Sequence, residues 1–380
     1  MRFFHLSDLH IGRQLHFYSL REDQEAVLEE IVRYAEELRP EAIVIAGDVY
    51  DKSVPSAEAV AVFDGFVRQL SEIGTEILVI SGNHDSPERL DFASSLLEKQ
   101  HLHMAGMPPL GPEDHIRQVI MEDAYGRVHF YLLPFLKPGY VRNVFPGEEP
   151  GSYTETVRRL IERENPDLNE RNVLVSHQFY TAAGQEPVRS DSEAVFVGGS
   201  GNVDISAVSC FDYVAMGHIH KKQCVGGAQF RYCGTPLKYS AGESRDEKTL
   251  TVVTLGEKGA ALQVEELVLH PLHDVKQLRG RLEELLEKGC EDFVSLTLTD
   301  EKMPYQARER LDLVFPNLLE LKVENLKTKR QLQEIREAEK QCSPVELFKR
   351  FYEDIHGKCM SEKELGIIRE IVEKAEEGMQ

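Results

Sequence analysis

Five short apolar runs in this chain end in the same few residue types. RFFHLSD (2–8) carries Asp8 and leads to His10; EAIVIAGD (41–48) ends on Asp48, with Asp51 close behind. EILVISGNHD (76–85) ends on Asn83, His84 and Asp85, NVLVSHQ (172–178) offers His177, and YVAMGHIH (213–220) offers His218 and His220. Runs of this length bounded by glycine and polar residues read as buried strands. Helical spacing fills the gaps between the first three. In 22–39, Ala26, Val27, Ile31, Tyr34, Ala35 and Leu38 form one stripe and Pro40 stops it; 57–74 is a second helix, ended by Gly74. A β-α-β-α-β order predicts a sheet covered by helices on both faces. Ligands of open α/β sheets bind at the carboxyl ends of the strands, which is where all five runs place their polar residues.

Asp, Asn and His offer oxygen and imidazole donors and no thiolate, a set suited to Mn²⁺, Mg²⁺, Fe or Zn. Burying these groups unpaired is costly, so clustering them demands a cation. The D-x-H and H-x-H spacings put both side chains on one side of an extended segment. Gly47, Gly82 and Gly217 precede the donors and let the backbone turn beside them. One D-x-H alone is a weak signal; the whole series in this order is a strong one. His5, His16, His101, His103, His115 and His129 read as packing or surface residues.

Further strand-like runs are 129–135, 230–235, 249–256 and 262–269. The last few follow one another without helices and read as the second half of a two-sheet sandwich. Near 271 the pattern changes to a helix (270–289), a strand (294–300), a helix (307–315) and a strand (318–325), a small α+β domain. The tail holds two capping boxes, Ser343-Pro344-Val345-Glu346 and Ser361-Glu362-Lys363-Glu364, each opening a short amphipathic helix. The expected class is thus α/β: a two-sheet sandwich flanked by helices over 1–270, a small α+β domain over 271–335, and a helical tail over 336–380. The 380 residues carry a net charge of -21, which argues against a wide basic surface for nucleic acid. It leaves open a metal site that meets phosphate with its own cations. With no apolar stretch near the ~18 residues of a membrane span, no signal peptide and six scattered cysteines, the expected location is cytoplasmic, without membrane contact.

The motifs DLH, GDVYD, GNHD, SH and GHIH resemble those of the calcineurin-like metallophosphoesterase superfamily. HLSDLHIG, ISGNHDSPERL, SHQF, GHIHKKQ and YCGTPLKYS are similar to one branch of it, the SbcD nuclease subunits of bacterial SbcCD complexes. The resemblance spans nearly the whole chain and is loose only over 271–340. It implies two divalent cations, Mn²⁺ favoured and Mg²⁺ possible. Asp8, His10 and His220 would hold one and Asn83, His177 and His218 the other, with Asp48 as the bridge. It further implies that His84 is a catalytic histidine outside the ligand set, that Asp85 orients its ring, and that Asp51 has a supporting role. The implied activity is an ATP-linked double-strand exonuclease and single-strand or hairpin endonuclease, serving DNA repair, replication and recombination at the nucleoid. The 271–335 domain would cap the site and position DNA, and the tail would bind the coiled-coil base of an SbcC-type SMC-like ATPase. A homodimer within a heterotetramer is also implied; the periodicity does not mark its surface, for which the helices at 57–74 and 87–99 are the candidates. Lys322, Lys327, Lys329 and Arg330 form the clearest basic cluster, either a DNA contact or a solvated face. The competing function is a small-molecule or protein phosphoesterase on the same fold, against which the additional C-terminal segments speak. A non-catalytic scaffold is the third, and the complete ligand set speaks against it.

Overall fold

Successive residues of the central runs are buried on opposite faces, as strands covered on both sides require. In the computed structural model, which describes residues 1–147, 150–193, 201–324 and 344–377, these runs lie in two six-stranded sheets. The first has the order Gln263–Val268, Thr249–Thr254, Arg2–Leu6, Ala42–Ala46, Glu76–Ile80, Leu102–Ala105. Its last four strands are parallel, with Phe3 opposite Ala42 and Ile43 opposite Ile77. The second has the order Gln223–Cys224, Phe230–Tyr232, Tyr213–Met216, Arg171–Ser176, Gly126–Leu133, Arg117–Asp123, with its four middle strands parallel.

Phe3, Val44, Leu78 and Ile80 of the first sheet pack between the sheets with Phe130, Val173, Val175 and Tyr213 of the second. Phe3 meets Phe130 and Tyr213 edge-on at centroid distances of 5.5 and 5.6 Å. The alternate residues Leu174, Val214 and Met216 face away and pack with Val157, Leu160 and Ile161 of the helix Tyr153–Glu164. Each such side chain contributes roughly 1.5–3 kcal/mol on burial. The helices Arg21–Leu38 and Ala57–Ile73 follow their predicted bounds. Ser56 caps the second, accepting from Ala59 N at 3.2 Å, and Gly74 ends it at φ 85°.

Two expectations are corrected. The strands Thr249–Thr254 and Gln263–Val268 do not complete the second sheet; they return to the first, where Thr249–Thr254 runs antiparallel to Arg2–Leu6 and Gln263–Val268 pairs antiparallel to Thr249–Thr254 at the sheet edge. Segment 270–289 is not one helix but a strand, Val275–Gly280, and a short helix, Leu282–Leu286. Val275 and Leu278 lie three apart and mimic a helical stripe, but pairing beside Phe293–Leu298 overrides that spacing.

The chain divides into two compact units, one of 1–277 with 291–295, the other of 278–290 with 296–380. In the second unit, the helices Leu282–Leu286 and Ala307–Asp312 accompany Leu318–Val323 around buried Leu285, Leu296, Leu311 and Phe315. The tail helices Pro344–His356 and Glu362–Glu377 contact each other through Tyr352 Oη, which donates to Glu364 Oε1 at 3.0 Å. Ser361 N donates to Glu364 Oε2 at 2.8 Å, one arm of the expected second capping box. Phe351, Ile355, Ile367 and Ile371 are exposed along these helices. Ser343, Lys327, Lys329 and Arg330 lie outside the described residues; Lys322 pairs with Glu320 at 2.6 Å. No helix among the described residues is long and apolar enough to cross a membrane.

One buried group sets an acid limit on this fold. His5 is fully buried with Nδ1 2.9 Å from Tyr213 Oη. Burial, helped by the charge of Arg231, pulls its pKa from 6.5 down to about 3. Below pH 6.5 the unfolded chain takes up a proton on this ring and the folded chain does not until about pH 3. The stability it contributes is therefore complete above 6.5 and is lost as the pH falls towards 3, by up to about 1.4 kcal/mol per pH unit. Urea titrations in EDTA between those limits are expected to show a shallower acid decline for His5→Phe, by about one proton; an unchanged slope counts against this source.

Candidate metal centre

The parallel strands of both sheets bring their carboxyl ends to one place, and tight turns there aim the polar side chains inward. Asp8, His10, Asp48 and His218 have φ of 53°, 42°, 51° and 97°. Such conformations cost about 1–3 kcal/mol each in non-glycine residues and persist only where surrounding structure imposes them. Main-chain bonds do so here: Asp8 N donates to Gly47 O at 2.9 Å, His10 N to Asp48 O at 3.0 Å and Gly217 N to Ser176 O at 3.0 Å. Glycine is required for close approach at two of these turns. A Cβ on Gly82 would lie 2.1 Å from Asp48 Oδ1, and one on Gly217 would lie 2.0 Å from Ala46 O.

All seven expected donors converge. His10 Nε2 lies 3.6 Å from Asp48 Oδ2, 4.0 Å from Asp8 Oδ1 and 3.2 Å from His220 Nε2. His177 Nε2 lies 3.4 Å from Asp48 Oδ2, 3.9 Å from Asp8 Oδ1 and 3.2 Å from Asn83 Oδ1. His218 Nδ1 is 2.7 Å from Asn83 Oδ1. Asp48 thus stands between the two groups. Among the described residues, three overlapping triads have donor atoms within 4.8 Å of one another: Asp8, His10 and His220; His10, Asp48 and His84; Asp8, Asp48 and His177.

The set fits cations. The other nitrogen of His177, Nδ1, donates to Ala46 O at 2.7 Å, so in the neutral ring Nε2 turns a lone pair towards carboxylate and amide oxygens. Acceptors facing acceptors in a buried pocket are stable only with a proton or a metal ion among them. The titration behaviour agrees. Burial alone would lower His177, yet the Asp48 carboxylate overrides it and lifts the ring to about 9. Burial raises Asp8 to about 6, with Asp48 adding to it, and lowers His10 and His218 to about 3. Asp48 is held well below the usual carboxylate range: burial would raise it, but His177 and His10 outweigh that.

His84 lies at the edge of the cluster, its ring centroid 4.8 Å from that of His10. The expectation that Asp85 orients this ring is corrected. His84 Nδ1 bonds to the main-chain oxygen of Asp51 at 3.0 Å. Asp85 accepts from the backbone N–H groups of Val49, Tyr50 and Gly82 at 3.1, 2.9 and 2.9 Å, fastening the Asp48 turn to the Gly82 turn. Burial, then the neighbouring Asp48, raises Asp85 to about 6. The Asp51 carboxylate pairs with Arg13 at 2.9 Å and lies 3.7 Å from His10 Nδ1.

Several contributors were not read from the sequence. His220 N donates to Glu193 Oε1 at 2.8 Å. The His218 ring stacks on Phe135 at 6.4 Å and meets Phe179 edge-on at 6.2 Å, and Arg189 lies over Phe179 at 4.1 Å. Of these positions only Phe179, the last residue of SHQF, falls in a motif quoted above, and Glu193, Phe135 and Arg189 lie outside all of them.

Calcineurin-like phosphoesterase sequences match residues 1–222, which include every one of these donors. The chain belongs to that family. It is a metal-dependent hydrolase of phosphoesters, and divalent cations are its cofactors. A second family, described as the type 5 capsule protein repressor C-terminal domain, matches 271–356. Two curated relatives are named as the SbcD component of the nuclease SbcCD, meeting the branch resemblance read from the motifs. The one from Staphylococcus epidermidis is 29% identical over 330 residues, covering 84% of this chain and 85% of its own. The one from Staphylococcus saprophyticus is 27% identical, covering 84% of each. Among solved structures, a dimetal phosphatase from Danio rerio covers 71% of this chain and 99% of its own at 15% identity, with a TM-score of 0.40.

Proposed function

We propose that this chain is the nuclease component of an SbcCD-type complex, cutting DNA phosphodiester bonds with two divalent cations, Mn²⁺ in preference to Mg²⁺. The supporting observation is the convergence of Asp8, His10, Asp48, Asn83, His177, His218 and His220 in a chain similar to named SbcCD nucleases over 84% of its length. Bound cations supply Lewis-acid charge and a nucleophile at neutral pH. Asp8, His10 and His220 would hold one, Asn83, His177 and His218 the other, and Asp48 would be shared between them. His84, tethered at Nδ1, presents its other edge to the leaving oxygen and stabilises or protonates it. The net charge of -21 is no obstacle at the scissile phosphate, because the cations provide the local positive charge.

The same reading gives double-strand exonuclease and hairpin endonuclease action linked to ATP, with 271–335 capping the site over DNA. The tail helices dock on an SbcC-type ATPase, a role suited to their exposed Phe351, Ile355, Ile367 and Ile371. A homodimer forms through 57–74 and 87–99, where Val60, Phe92 and Leu96 are exposed beside a cavity of about 680 Å³ lined by Phe63, Val67 and Leu90. The test is cleavage of hairpin DNA by the purified chain, with and without the ATPase and ATP, in Mn²⁺ and in Mg²⁺. Cutting in Mn²⁺ is expected; hydrolysis of simple phosphate esters alone would favour the small-molecule phosphoesterase instead.

A further inference from the structure

We infer that Ser192, braced by a buried Glu243–Lys248 pair, sets the tautomer of His220 and so positions that ring for its cation. The inference rests on His220 being a metal ligand, as proposed above. Ser192 Oγ lies 2.7 Å from His220 Nδ1 and donates to Glu243 Oε1 at 2.7 Å. A hydroxyl has one proton to give. With that proton on the Glu243 side, Ser192 can meet His220 only by accepting from Nδ1–H. The ring's Nε2 therefore keeps its lone pair, directed at the space it shares with His10 Nε2, 3.2 Å away.

The brace is built to hold this direction. Glu243 is 1% exposed and Lys248 7% exposed, and Lys248 Nζ donates to Glu243 Oε2 at 2.7 Å. A buried carboxylate and ammonium are tolerated only when each is closely paired and otherwise hydrogen-bonded. Here Ser240 Oγ also donates to Glu243 Oε1 at 3.0 Å, and Lys248 Nζ also donates to Thr235 Oγ1 at 2.7 Å and to His220 O at 3.2 Å. His177 has its Nδ1 fixed by the main-chain oxygen of Ala46, which no substitution removes. His220 depends on a side chain, so its tautomer can be released by mutation while His177 keeps its own. Ser192 is accordingly a positioning residue for one of the two cation sites.

The test is titration of the full-length, EDTA-stripped chain with Mn²⁺ alone, following the electron paramagnetic resonance of free Mn²⁺. Wild type is expected to show two sites. Ser192→Ala and Ser192→Cys are expected to weaken one of them about 10- to 100-fold, the range for losing an outer partner of a ligating histidine, and to leave the other unchanged. Ser192→Thr, which keeps the hydroxyl, restores the affinity. On a His220→Ala background, Ser192→Ala adds nothing. Wild-type affinity at both sites in Ser192→Ala overturns the role, as does a loss of the same size without His220. Melting in EDTA is read for every variant. Weakened binding with unchanged melting supports positioning, whereas a collapse of melting in both Ala and Cys variants makes Ser192 structural. Absence of tight Mn²⁺ sites in wild type would overturn the reading of the centre itself, and this role with it.

Discussion

Asp48→Ala is expected to abolish binding of both cations and to lower DNA cleavage by more than about 10³-fold, beyond the 10²- to 10³-fold typical of one electrostatic donor. Asp48 is 2% exposed, and its Oδ2 lies 3.6 Å from His10 Nε2 and 3.4 Å from His177 Nε2. Asp8 is farther from both rings, at 4.0 and 3.9 Å. On the proposed division, removing Asp48 would leave two neighbouring cations without the shared anion that offsets their repulsion. It also withdraws the charge that lifts His177 to about 9 and deprives His84 N of its acceptor, Asp48 Oδ1 at 2.8 Å. Asp48→Asn separates charge from shape. It keeps an oxygen for that N–H but cannot neutralise the cations, and is expected to fail nearly as completely. Metal content after Mn²⁺ loading and gel filtration checks both variants. Two tightly held Mn²⁺ ions in either would show that Asp48 is not the bridge.

The donors were legible because strand geometry makes them so. An apolar run must end where its sheet ends, and Asp, Asn and His repeated at five such ends have few other uses. Their supports were not legible, for a physical reason. His84 is oriented by the main-chain oxygen of Asp51, a partner that any residue type could supply, and the side chain beside it in sequence, Asp85, ties two turns together instead. Ser192 comes from one stretch of chain and Glu243 with Lys248 from another, and only the fold brings their polar groups to His220. Sheet membership was equally hidden. Alternation marks Thr249–Thr254 and Gln263–Val268 as strands, but long-range pairing of the first with Arg2–Leu6, and of the second with the first, decides which sheet receives them. In Val275–Gly280 the apolar spacing suits a helix and the neighbouring strand wins.

The second large effect is expected at His84, in turnover and not in metal content. His84→Ala should lower kcat by about 10²- to 10⁴-fold, the usual share of one positioned proton donor, with both Mn²⁺ ions still bound. The ring sits 4.8 Å from His10 between centroids, near enough to reach the same phosphate, and its Nδ1 is committed to Asp51 O at 3.0 Å. Only the opposite edge is then offered to substrate. Geometry alone permits another role, because His10, Asp48 and His84 also have donor atoms within 4.8 Å of one another. The two roles separate cleanly. A ligand's loss removes a cation and weakens Mn²⁺ binding, whereas a proton donor's loss leaves binding intact and falls hardest on substrates with poor leaving groups. Cleavage of an activated ester such as a nitrophenyl phosphodiester should therefore suffer far less in His84→Ala than cleavage of DNA. Equal losses on both substrates, together with a missing Mn²⁺ ion, would place His84 among the ligands.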